Sequence, residues 1–167
     1  MGAQITSIGE EALMKLYLVQ HGEACAKEID PDRPLTQKGR EDMDRLAGFL
    51  QQAGIRVARV IHSGKLRAVQ TAECLGDRIA LGIELEASDS INPNDDPKGL
   101  YRQIEAADSD TLVVGHLPFM AKLVSRLVVG DEEKLITAYR PGSVVCLELT
   151  NDLRWQIDWM LRPELFR

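Results

Sequence analysis

From residue 15 to residue 129, short β-favouring runs alternate with longer stretches of helical period. A strand, a helix and a next strand in series pack as a right-handed βαβ unit. The sequence therefore predicts a single-domain α/β sandwich of three layers, with a mostly parallel sheet and helices on both faces. The strand-like runs are KLYLVQ (15–20), VARVIH (57–62) and TLVVG (111–115). Helical spacing over 37–52 puts Met43, Leu46, Ala47 and Leu50 on one face, behind an N-cap at Thr36. A second helix is expected over 65–81, with Leu66, Val69, Leu75 and Ile79 turned inward. Residues 88–98 read as an irregular loop, 99–107 as a short helix, and 117–129 as a long helix with Pro118 in its first turn. SVVCLEL (143–149) and RWQIDWML (154–161), joined at Asn151-Asp152, read as an antiparallel pair at one edge. The domain is expected over 15–167, with 1–14 as an N-terminal extension.

Composition removes several classes. The net charge is −6 with no basic cluster, which speaks against nucleic-acid binding. No apolar run approaches the roughly 18 residues of a membrane span. The opening residues carry Glu10 and Glu11 and lack the basic start and apolar core of a signal peptide, so a cytoplasmic protein is expected. Cys25, Cys74 and Cys146 are scattered without CxxC spacing, which fits neither a disulfide framework nor a zinc site.

Open α/β sheets form their sites beyond the carboxyl ends of the strands. Gln20-His21-Gly22 follows the first run, and His62-Ser63-Gly64 follows the second, with Arg67 in the next helical turn. Gly115-His116-Leu117 closes the third. All three histidines of the chain thus lie at strand ends, and the fold would gather His21, Arg67 and His116 on one rim. Two imidazoles and a guanidinium beside helix N-termini suit a phosphoryl group. A neutral imidazole can take that group covalently. A metal is the competing use of histidine, but HxH and HExxH spacings are absent, and neither metal nor organic cofactor is expected.

Four segments then resemble, in order, those of the histidine phosphatase superfamily: LYLVQHGEA (16–24), RPLTQKG (33–39), HSGKLRAVQTAE (62–73) and LVVGHLPFM (112–120). The short length and the HGxA and GHLP forms look most like its SixA-type phosphohistidine phosphatases. The resemblance implies a phosphoglycerate mutase-like domain, with His21 as nucleophile, Arg67 clamping the phosphoryl oxygens and His116 donating to one of them. It also implies that the backbone N–H of Leu117 assists. The superfamily carries Arg before the nucleophile, where this chain has Gln20. That change predicts a weaker anion pocket, in which Gln20→Arg would raise the rate unless Arg33 or Lys65 already supplies the charge. Ester-cleaving relatives protonate the leaving oxygen with an acid from the loop after the second helix. The candidates in this chain are Glu84, Glu86, Asp89, Asp95 and Asp96. The expected activity is a metal-independent phosphatase acting on a phosphorylated protein, such as a histidine-phosphotransfer protein. The alternatives are a small-molecule phosphomonoesterase and a module that binds phosphate or a phosphoprotein without turnover.

Overall fold

The structure is a computed structural model and describes residues 12–166. Six strands form one sheet: β1 (Met14–Gln20), β2 (Arg59–His62), β3 (Leu85–Ala87), β4 (Thr111–Gly115), β5 (Val144–Leu149) and β6 (Trp155–Leu161). Their spatial order is β3-β2-β4-β1-β5-β6. The first four run parallel, while β5 and β6 are antiparallel additions beside β1. The helices are α1 (Gln37–Gln52), α2 (Leu66–Ile79), α3 (Pro97–Glu105) and α4 (Phe119–Val129), followed by a 3-10 turn at Pro163–Phe166.

Strand alternation splits the interior into two cores. Tyr17, Val19, Val60, Leu112 and Val114 pack under α1 and α2. Leu16, Leu18, Ile61, Val113 and Val145 pack under α3 and α4, where Phe119 and Leu123 are fully buried. Helices on both faces and an antiparallel pair at the edge match the expected architecture.

Several details differ from the sequence reading. Met14 is buried in β1, so the strand starts one residue earlier than expected and takes in the last residue assigned to the extension. The rest of the expected extension lies almost wholly outside the described residues. β3 was not expected, because three residues carry no measurable period. It exists through its parallel pairing with β2. The inward face of α2 is Ala68, Thr71, Ala72, Leu75, Gly76 and Ile79, whereas Leu66 is exposed and Val69 half-buried. Small residues on that stripe let the helix axis approach the sheet, and a search for large apolar residues misses them. α3 begins two residues early, because Asp96 caps it through the Lys98 N–H with Pro97 in the first turn. The Thr36 cap of α1 is as expected, its hydroxyl accepting from the Gly39 N–H at 2.9 Å.

Candidate active site

β2, β4 and β1 are neighbours in the sheet, so the residues after their carboxyl ends meet. His21 leaves β1 with its backbone fixed on two sides. Its N–H donates to Gly115 O at 3.1 Å, and its carbonyl accepts from the Gly142 N–H at 3.0 Å. Gly22 N–H donates to Thr71 Oγ1 at 3.0 Å, and that hydroxyl donates to Arg67 O at 2.8 Å. The His21-Gly22 segment is thereby tied to the first turns of α2. The φ of Gly22 is not in the left-handed region. What it supplies is space: a Cβ there would lie 3.0 Å from Met43 Cγ and 3.3 Å from Gly39 O.

Each ring is anchored by one short hydrogen bond. His21 Nδ1 lies 2.7 Å from Gly22 O. A carbonyl can only accept, so Nδ1 carries the proton and Nε2 keeps its lone pair. That lone pair accepts from Arg67 Nε at 3.3 Å. His116 is nearly inaccessible, and its Nε2 lies 2.5 Å from Ser63 Oγ. The Lys65 N–H donates to that same oxygen at 3.4 Å. His116 Nδ1 is buried and has no partner among the described residues. The ring centroids stand 5.0 Å apart.

Ser63 was missed as a functional candidate, although it lies inside the quoted 62–73 segment. Ser63→Ala removes the hydrogen bond that holds His116 Nε2, with an expected fall in kcat of roughly tenfold, the worth of one neutral buried hydrogen bond. Ring ¹⁵N shifts of His116 should report a single tautomer in the wild type and a mixture in the variant. Unchanged shifts and rate would remove Ser63 from the site.

The local field is positive. Burial pushes the His21 pKa down to about 4, and Arg67 and Arg33 add to this against the raising effect of the Gly22 carbonyl. Burial, then His21, Arg67, Lys65 and Arg33, push His116 down to about 3. Both imidazoles are therefore neutral at pH 7. No ion pair among the described residues includes Arg67 or Arg33.

The structure brings His21, Arg67 and His116 together. Gln20 is buried next to them, and its Oε1 has no partner among the described residues. The Leu117 side chain is partly exposed at the approach to α4, and the following bond to Pro118 is cis. His62 stands apart in role, its Nδ1 accepting from the Gly64 N–H at 3.0 Å. Of the candidate acids, Glu86 is held by Arg59 at 2.8 Å, Asp95 accepts from Asn92 N–H at 2.7 Å, and Asp96 caps α3. Among the described residues, no group of three His, Cys, Asp or Glu side chains is placed to hold a metal ion. No described helix is long and apolar enough to cross a membrane.

Residues 16–91 match the sequence profile of the histidine phosphatase superfamily, branch 1. The phosphohistidine phosphatase SixA of Escherichia coli is 29% identical over 155 residues, covering 90% of this chain and 94% of that protein. An uncharacterized protein of Picosynechococcus is 32% identical over 138 residues, covering 78% and 83% respectively. Among solved structures, the protein histidine phosphatase SixA complexed with tungstate superposes with a TM-score of 0.82 at 24% identity, over 92% of this chain and all of the other. A phosphoserine phosphatase from Entamoeba histolytica superposes at 0.70 with 11% identity, over 91% of this chain and 98% of the other.

Proposed function

Since the chain belongs to the histidine phosphatase superfamily, we propose that it is a phosphatase in which His21 attacks the phosphoryl group of a phosphohistidine carried by a protein. The observation that carries this reading is the tautomer of His21, whose Nδ1–H on Gly22 O leaves the lone pair on Nε2, beside Arg67. Nε2 forms a bond to phosphorus while the P–N bond of a substrate ring protonated on its other nitrogen breaks, and the bonding pair stays on the departing nitrogen, so that a neutral imidazole leaves. Arg67 moves its donors from Nε2 to the phosphoryl oxygens, and His116 Nδ1–H donates to another oxygen as charge builds there. Water then attacks phosphorus, inorganic phosphate departs and His21 is restored.

The partners of three of the five candidate acids support this substrate over a phosphoester. An alkoxide leaving group needs a proton donor, whereas an imidazole has a reference pKa near 6.5 and leaves far more readily. Glu86, Asp95 and Asp96 are engaged in an ion pair, a turn and a helix cap. A phosphorylated histidine-phosphotransfer protein is the partner that fits.

The test compares a phosphohistidine protein with p-nitrophenyl phosphate and a serine phosphate peptide. The first should turn over with a kcat/KM at least about a hundredfold higher than the serine ester. Single Ala replacements at Glu84, Glu86, Asp89, Asp95 and Asp96 should each keep most of the phosphohistidine activity. Collapse at one of them would identify a general acid and favour the phosphomonoesterase reading.

A further inference from the structure

We propose that Arg33 is a second phosphate-binding guanidinium of this pocket, supplying charge that the neutral side chain of Gln20 does not bring. The proposal extends the phosphatase reading above to a residue outside His21, Arg67 and His116.

Backbone ties set the position of Arg33. Residues 22–36 fold back on themselves: Ala24 bridges Leu35, the Cys25 N–H donates to Pro34 O at 2.8 Å, and the Thr36 N–H donates to Glu23 O at 2.9 Å. The Leu35 N–H donates to Gln70 Oε1 at 2.8 Å. Gln70 sits one turn beyond Arg67 on the same face of α2. Arg33 is thus held between the nucleophile's own segment and the helix that carries Arg67.

The residue is also held at a conformational cost. Its φ is 51°, in the left-handed region that side chains other than glycine and asparagine rarely enter. Such outliers persist where surrounding contacts enforce them, and they cluster at ligand clamps. The enforcing contact is Nε–H donating to Cys25 O at 3.1 Å. That bond uses one edge of the guanidinium and leaves its two terminal nitrogens for another acceptor. No carboxylate pairs with it, as noted above. The positive charge of Arg33 reaches His21, Arg67 and His116, opposing a proton on each imidazole and working against the Arg67 charge. Two cations that repel each other beside two neutral rings, with no acid between, form a site for a multiply charged anion.

Arg33→Gly is the informative variant, because glycine accepts the left-handed backbone and removes the guanidinium without straining the loop. Binding of inorganic phosphate, measured by calorimetry, should weaken about tenfold or more. The kcat/KM on a phosphohistidine protein should fall by a similar factor while the acid-labile label on His21 still forms. Arg33→Lys should recover part of both losses. Gln20→Arg should gain more in the Arg33→Gly background, about tenfold, than in the wild type. Phosphate binding and kcat/KM within twofold of wild type in Arg33→Gly would overturn the proposal. So would an equal gain from Gln20→Arg in both backgrounds. If wild-type protein turns over no substrate yet Arg33→Gly still loses phosphate affinity, Arg33 remains a ligand of the pocket and the phosphatase reading is what fails.

Discussion

Replacing His21 with Ala should lower kcat by about 10⁴-fold or more, the scale seen when a covalent nucleophile is removed. The residual site keeps Arg67, His116 and Ser63, so phosphate should still bind within a few-fold of wild type. Acid-labile phosphate should appear on the wild type in a quench experiment and be absent from His21→Ala. The same residue sets the pH profile. Its folded pKa lies below the ordinary value, at about 4, so the lone pair survives acidification until that range and is lost below it. The acid limb of kcat/KM for the free enzyme should fall near pH 4, not near 6.5. The lowered pKa also means that the unfolded chain takes up protons first, so stability should decline as pH falls from about 6.5 toward 4. An acid limb centred at 6.5, or equal labelling of both proteins, would remove His21 as the nucleophile.

Arg67→Ala should cost roughly 10²–10³-fold in kcat/KM. Its Nε–H rests on the lone pair of His21 at 3.3 Å, so it both guards the nucleophile and faces the phosphoryl group when that lone pair is in use. Charge-assisted hydrogen bonds contribute about 1.5–3 kcal/mol each. Losing two at the transition state corresponds to at least about two orders of magnitude. Arg67→Lys should recover only part of the loss, because an ammonium lacks the planar fork that matches two phosphoryl oxygens. Full recovery with Lys would mean that Arg67 acts as a point charge alone. A loss below tenfold in Arg67→Ala would place the phosphoryl group elsewhere.

The order of strands and helices was legible because apolar period and turn residues mark long elements well. With the order in hand, the general rule for α/β sheets led directly to the rim where His21, Arg67 and His116 meet. Other features left weaker traces. β3 is three residues long and depends on β2 for its existence. The α2 face reads as a stripe of Ala, Thr and Gly, which looks unremarkable in sequence and matters only once the helix lies on the sheet. The need for Gly22 comes from Met43 and Gly39, residues that only the folded chain brings near. Ser63 acts through a hydrogen bond to a histidine 53 positions away, a pairing no local pattern encodes. Arg33 was named from the sequence beside Lys65 as a source of the missing charge, and the loop that fixes its position is closed by backbone bonds, which leave no signature in residue type.

Gly142 has a consequence for the order of events during synthesis. Its φ of 80° and the crowding by Met43 and Pro163 leave no room for a side chain, and its N–H fastens the carbonyls of Gln20 and His21. The strand that follows it, β5, covers the whole free edge of β1, from Val19 paired with Val144 to Met14 paired with Leu149. The nucleophile therefore leaves the ribosome early and waits for residues made much later before its backbone is pinned. Chains that stall before Gly142 carry all of His21, Arg67 and His116 and still present an open sheet edge instead of a working centre. The backbone around His21 is therefore complete only after Gly142 and β5 have been made.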